Sequence, residues 1–176
     1  MRFIFSNGGI VVYLLSFISI VSLSVVLEKI YYYVKNEKKS SVNELTSLIE
    51  FQMKNKKNSE IAVENELREF FINKTLKLEN KLWVLAIAGS LSPLLGLLGT
   101  VGGMIKAFGT IALVGTGDPK LLAEGISEAL ITTAAGICVA LPTSAFYSYF
   151  CKKNQKIILT LEKVSIETIN KIKSDN

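Results

Sequence analysis

Hydrophobic positions along this chain collect into three blocks separated by charged stretches. Residues 3–27, 82–105 and 129–151 contain no Asp, Glu, Lys or Arg. Each block exceeds the roughly 20 residues that a helix needs to cross about 30 Å of hydrocarbon. Three membrane-spanning helices are therefore predicted, the first from about Gly9 to Tyr33. That first block could also be read as a secretory signal behind Arg2. Its uncharged run is longer than an h-region of roughly 7–15 residues, and no small-x-small cleavage site stands out. A retained anchor is the better reading, with Tyr31, Tyr32 and Tyr33 at headgroup depth.

Between the first two blocks the pattern changes to helical periodicity. "NELTSLIEFQM" puts Leu45, Leu48 and Ile49 on one face, and the stretch 59–82 does the same with Ile61, Leu67, Phe70 and Phe71. "KNKKNS" at 54–59 reads as the turn between them, so a helical hairpin is expected. After the third block, Ile157, Leu161, Val164, Thr168 and Ile172 recur at three- and four-residue steps. Such a narrow stripe suits a partner helix and hints at an oligomer.

Charge orients these elements. Segment 28–81 carries 11 Lys and Arg and segment 152–176 carries 6, against 20 in the whole chain. The positive-inside rule places both segments in the cytoplasm, and the N-terminus and the 112–120 connection outside. The net charge of +5 is thus a topology signal. Nucleic-acid binding is not indicated, because glutamates alternate with the basic residues of 28–81 and no aromatic stacking pattern accompanies them. Histidine is absent, which removes the commonest metal ligand and the usual general base. Cys138 and Cys151 would stand about 20 Å apart along one helix, too far to bridge. No metal or cofactor is expected.

The second and third blocks carry the polar exceptions. Gly89, Pro93, Gly96, Gly99, Thr100, Gly103 and Ala107 recur every three or four residues. Helix packing alone accounts for the glycines, since small residues let backbones approach closely in lipid. A hydroxyl bonded back to a carbonyl one turn earlier would account for Thr100. Pro93 removes a backbone donor. Lys106 is expected to extend toward the outer interface.

Glu128 is harder to explain by packing. Turn signals at Gly115, Gly117, Asp118 and Pro119 start the third helix near Pro119, with Asp118 as its cap. Glu128 then lies about 13 Å along the axis. An acid at the centre of a span costs about 2.5–3.5 kcal/mol on insertion scales and usually faces a cavity or bundle interior. The bland reading is that Glu128 merely marks the outer end of the span. Glu124 one turn before and Thr132 one turn after extend a polar stripe inward. A carboxylate held away from bulk water binds its proton at higher pH than a hydrated one. One such group between two vestibules is the minimal equipment for moving protons, and Na⁺ fits the same chemistry.

"SPLLGLLGTVGGMIKAF" followed by "GISEALITTAAGICVALP" resembles the MotA/TolQ/ExbB proton-channel family in its ExbB/TolQ branch, over about residues 85–150. The resemblance implies an all-α membrane protein with three transmembrane helices and long cytoplasmic extensions, assembled as a homopentamer. Hydropathy and charge divide the chain into a first span over 1–34 with a periplasmic N-terminus, a cytoplasmic helical segment over 35–81, a core over 82–150 that the resemblance makes the channel, and a cytoplasmic helix over 151–176. The family's intramembrane carboxylate falls on Glu128, and its pore-lining threonines fall on Thr100 and Thr133. Thr132 is nearer to Glu128 on an ideal helix, where Thr133 is about 140° away. Glu124 is a secondary candidate. Pro93, Gly96, Gly99, Gly103, Gly136 and Pro142 would pack the helices. The expected partner is a single-span ExbD/TolR-like protein with an essential Asp, working with a TonB- or TolA-like protein in the bacterial inner membrane. Proton cycling would energise TonB-dependent transport or Tol-type envelope work. The competing reading is a membrane scaffold with Glu128 fixed in a salt bridge. An intramembrane enzyme finds no His, paired acids or activated nucleophile, and a MotA-type stator would have four spans.

Overall fold

In the computed structural model, the described residues are 9–36, most of 42–51, 60–114 and 119–174. All of them are helical except the turn at Asn80–Lys81. Four long helices are α1 (Gly9–Asn36), α2 (Glu60–Glu79), α3 (Leu82–Val114) and α4 (Pro119–Ser174). Residues 42, 43, 45–47, 49 and 51 are also helical. Leu48, the 54–59 turn, and the turn signals at Gly115, Gly117 and Asp118 lie outside the described residues.

Three stretches are long and apolar enough to cross a membrane: Ile10–Lys35, Leu82–Ala112 and Leu122–Glu167. Only 28% of each apolar window is buried within the chain. Leu14, Phe17 and Ile20 on α1, and Leu94, Leu97 and Leu98 on α3, are exposed. That pattern is expected of helices whose outer surface is solvated by lipid. Both α3 and α4 run on through Pro93 and Pro142, each of which forfeits one backbone hydrogen bond.

The chain divides into two compact units, and α1 and α4 contribute to both. One unit comprises residues up to 26 together with 83–147. Its core is built from Val12, Leu15 and Val25 of α1, Leu85 and Ala88 of α3, and Ala129 and Ala140 of α4. Here α3 and the first part of α4 form an antiparallel pair. Gly89 approaches Ser144, Gly99 approaches Thr132 and Gly103 approaches Ala129, so the partner's number falls as the first rises.

The other unit comprises residues 27–82 and 148–176. It buries Leu45 and Ile49, Leu67 and Leu78 of α2, and Phe150, Ile157 and Leu161 of α4. Two members of the stripe on the C-terminal helix are buried inside the chain, Ile157 at 7% exposed and Leu161 at 1%, and Val164 is half-buried. The side chains of Thr168 and Ile172 lie outside the described residues. The end of α2 in this unit is capped by other helices. Lys29 Nζ donates to the Leu78 carbonyl at 2.8 Å, and Asn154 Nδ2 donates to the same oxygen at 2.9 Å. A helix end leaves its last carbonyls without intrahelical partners, and these two side chains satisfy one of them. Tyr33 donates its hydroxyl proton to Asn154 Oδ1 and stacks on Phe150. Lys81, with φ of 63°, takes the left-handed conformation that often follows a helix end. Its amine pairs with Glu28 at 2.6 Å.

Candidate functional site

The α3–α4 pair brings the candidate residues together along a seam of small side chains. A Cβ at Gly96 would stand 3.1 Å from the Thr132 carbonyl oxygen and from Thr133 Cα. A Cβ at Gly136 would meet the Ser92 carbonyl oxygen at 2.6 Å and Gly96 Cα at 3.1 Å. At Gly99 it would meet Thr132 Oγ1 at 2.5 Å. Gly125 adds a contact that the α3 pattern alone did not reveal, since a Cβ there would come within 2.5 Å of that of Ala107. Gly96, Gly99, Gly103 and Gly136 thus all lie where the backbones are closest. Pro93 is half-buried and Pro142 exposed.

The threonines take different places on this seam. Thr132 is 2% exposed, with its hydroxyl 2.7 Å from the Ala129 carbonyl and 3.4 Å from that of Gly96. Thr133, half-buried, donates across the seam to the Gly96 carbonyl at 3.1 Å. Thr100 is half-buried and bonds back to the Leu97 carbonyl at 2.6 Å, satisfying its proton within its own turn.

Glu128 sits at the edge of the seam, on the residue before Ala129, with its side chain 23% exposed. Glu124, one turn earlier, is exposed. Glu128 Oε2 lies 3.6 Å from Lys106 Nζ. Sequence reasoning expected Lys106 to extend toward the outer interface and did not pair it with Glu128. The signal was available: Lys106 and Glu128 lie nearly equal numbers of residues from the centre of the 115–118 connection, so an antiparallel pair places them at one height. Among the described residues no group of three or more His, Cys, Asp or Glu could hold a metal ion. The arrangement is one partly shielded carboxylate, one largely exposed cation and a hydroxyl-bearing, side-chain-poor helix pair. Such a set can take up and release a proton or bind a small cation. It holds no nucleophile with a base beside it.

Comparison with known proteins agrees with that chemistry. A family model described as the MotA/TolQ/ExbB proton channel family matches residues 37–163. The chain belongs to this family. The match reaches well beyond the 85–150 stretch on which the motifs lie, taking in α2 and much of α4. Biopolymer transport protein ExbB of Xanthomonas campestris is 35% identical over 54% of this chain and 38% of its own length. Tol-Pal system protein TolQ of Pseudomonas aeruginosa is 42% identical over 47% of this chain and 36% of its own. The ExbB-like 1 protein of Helicobacter pylori is 37% identical over 58% of this chain and 56% of its own. The chain therefore spans from about a third to just over half of the relatives it matches. These relatives place it in the ExbB/TolQ branch, a family of transport-motor and channel subunits, not of enzymes. With its three apolar helices it is a membrane protein.

Proposed function

We propose that this chain is the channel-forming subunit of an ion-driven motor in the bacterial inner membrane, with Glu128 as the group that carries the proton. The observation on which the reading rests is a glutamate only 23% exposed, set in an apolar spanning helix and bordered by a seam of glycine, alanine and threonine. Acids in such positions are costly and are kept for ion pathways or paired structural sites. Thr100 and Thr133, both only half-buried in the single chain, remain available to a pathway between copies. Thr132 belongs to the packing of the pair. Five copies would enclose the channel, with residues 82–150 as its core, 1–34 as the outer anchor, and 35–81 and 151–176 in the cytoplasm. The N-terminus would face the periplasm, in keeping with the charge distribution. A single-span ExbD/TolR-like protein would supply the second acid of the cycle, and TonB-dependent transport or Tol-type work would receive the energy.

The test is ion flux in vesicles holding the full-length protein and its partner. Glu128→Gln keeps shape and volume but cannot cycle a proton. The expected result is normal assembly with flux and partner-dependent work abolished; undiminished flux overturns the reading. A second reading, a static scaffold, is favoured by the Lys106–Glu128 pair, because a salt bridge would give the acid a purely structural reason to exist. It predicts that Glu128→Gln leaves partner-dependent work intact. Against it, the lysine side chain is 75% exposed, so the pair is not enclosed within the chain.

A further inference from the structure

Lys106 is a cation that the proposed role of Glu128 leaves without a task. Its amine stands 3.6 Å from the carboxylate, too far for a hydrogen bond and close enough for an ion pair. The helix backbones behind the pair have no slack. A Cβ at Gly103 would lie 3.0 Å from that of Ala129, and one at Gly125 would lie 2.5 Å from that of Ala107. These contacts bracket Lys106 on α3 and Glu128 on α4, so the two backbones lie close together beside the charges. The lysine can move, since its amine rides on a flexible four-carbon stem and most of the side chain is open. The other charged side chains among the described residues of this unit are Glu124, exposed one turn before Glu128, and Lys120 in the first turn of α4. Residues 10–26 of α1 bring no charge to it.

We infer that Lys106 is a positioning residue for Glu128, holding the ionised carboxylate against α3 and releasing it when it takes up a proton. The inference rests on the reading of Glu128 as the proton carrier and deepens it. When a proton binds the carboxylate oxygen the negative charge is lost, the attraction vanishes and the amine is free to move away. When the proton leaves, the pair closes again. Protonation is thereby converted into a side-chain movement on a closely packed helix pair.

Infrared difference spectra of the full-length protein in lipid vesicles, taken across a pH series, test this directly. The protonated-carboxyl band that disappears in Glu128→Gln belongs to Glu128. Lys106→Met keeps much of the stem without the charge, and Lys106→Arg keeps the charge. The expected result is a protonated-carboxyl band whose dependence on pH in Lys106→Met is displaced from that of the wild type. Lys106→Arg should restore the wild-type titration. Identical titrations in all three proteins overturn the inference, and so does a carboxyl that stays ionised throughout. Should Lys106→Met fail to assemble, Lys106→Gln provides the neutral comparison. Undiminished ion flux in Glu128→Gln would instead overturn the proton-carrier reading, and the Lys106 titrations would still decide the pairing.

Discussion

Thr100 and Thr133 show how much a hydroxyl's partner says about its purpose. Thr100 closes its hydrogen bond inside its own helical turn, and Thr133 closes its bond on the neighbouring helix at Gly96. Thr100→Ala therefore removes a local bond that the half-exposed position can replace with solvent or another copy. Its expected effect on thermal stability is small, within about 0.5 kcal/mol, the usual range for such sites. Thr133→Val should cost about 1 kcal/mol, because a bond between helices is lost from a half-buried site. If both line the ion path, each variant will also depress flux by more than its stability loss explains. Unfolding and flux measured on the same preparations separate the two effects.

At the scale of the element, the α3–α4 pair is governed by where a Cβ has room. Gly136 has none, with the Ser92 carbonyl oxygen 2.6 Å from where a Cβ would sit. Gly136→Ala should destabilise the pair by about 1–3 kcal/mol, the range of overpacked cores. On α3, where Gly99 and Gly103 are as crowded, Gly102 and Gly109 face open space, with nothing within 4 Å of an added Cβ. Alanine at either should be neutral or stabilising to the single chain, since glycine in a helix costs about 0.5–1 kcal/mol relative to alanine. A loss of assembly in Gly102→Ala, read by native mass measurement beside an unchanged melt, would locate a contact between copies on that face. The same helix thus carries glycines with two different physical jobs.

On the scale of the whole molecule, the polar junction in the second unit is the counterpart of the apolar seam in the first. Lys29 and Asn154, each 5% exposed, converge on the Leu78 carbonyl at the end of α2. Asn154→Ala removes one of those donors and breaks the bond from the Tyr33 hydroxyl to Asn154 Oδ1. A loss of about 1–3 kcal/mol is expected, as for other buried polar groups deprived of a partner. Hydrogen exchange across α2 would report it as faster exchange of the last turn, while the amides of α3 keep their protection. Equal acceleration in both would contradict a local role. Orientation is decided at this scale too. Thiol labelling of single cysteines placed at residues 116 and 176, in sealed inner-membrane vesicles, should modify them from opposite sides.

Legibility in the sequence followed the range of the physics involved. The three apolar stretches, the start of α4 at Pro119 and the glycine spacing of α3 could be read directly, because hydropathy and helical periodicity are local properties. The anomaly of Glu128 was legible for the same reason, since a charge beside an apolar run stands out wherever the chain goes next. What could not be read were pairings between distant residues. The C-terminal stripe looked available to another copy, and only packing within its unit revealed Ile157 and Leu161 as core. Thr132 followed Glu128 by helical angle, yet close approach to Gly99 turned it into a seam residue. Lys106 was directed to the interface by its own chemistry, and its pairing with Glu128 came from the register of an antiparallel pair. The sequence by itself determined the elements and the anomalous acid; the tertiary structure alone decided the partners, because a partner depends on register, and register is set by where two backbones can touch.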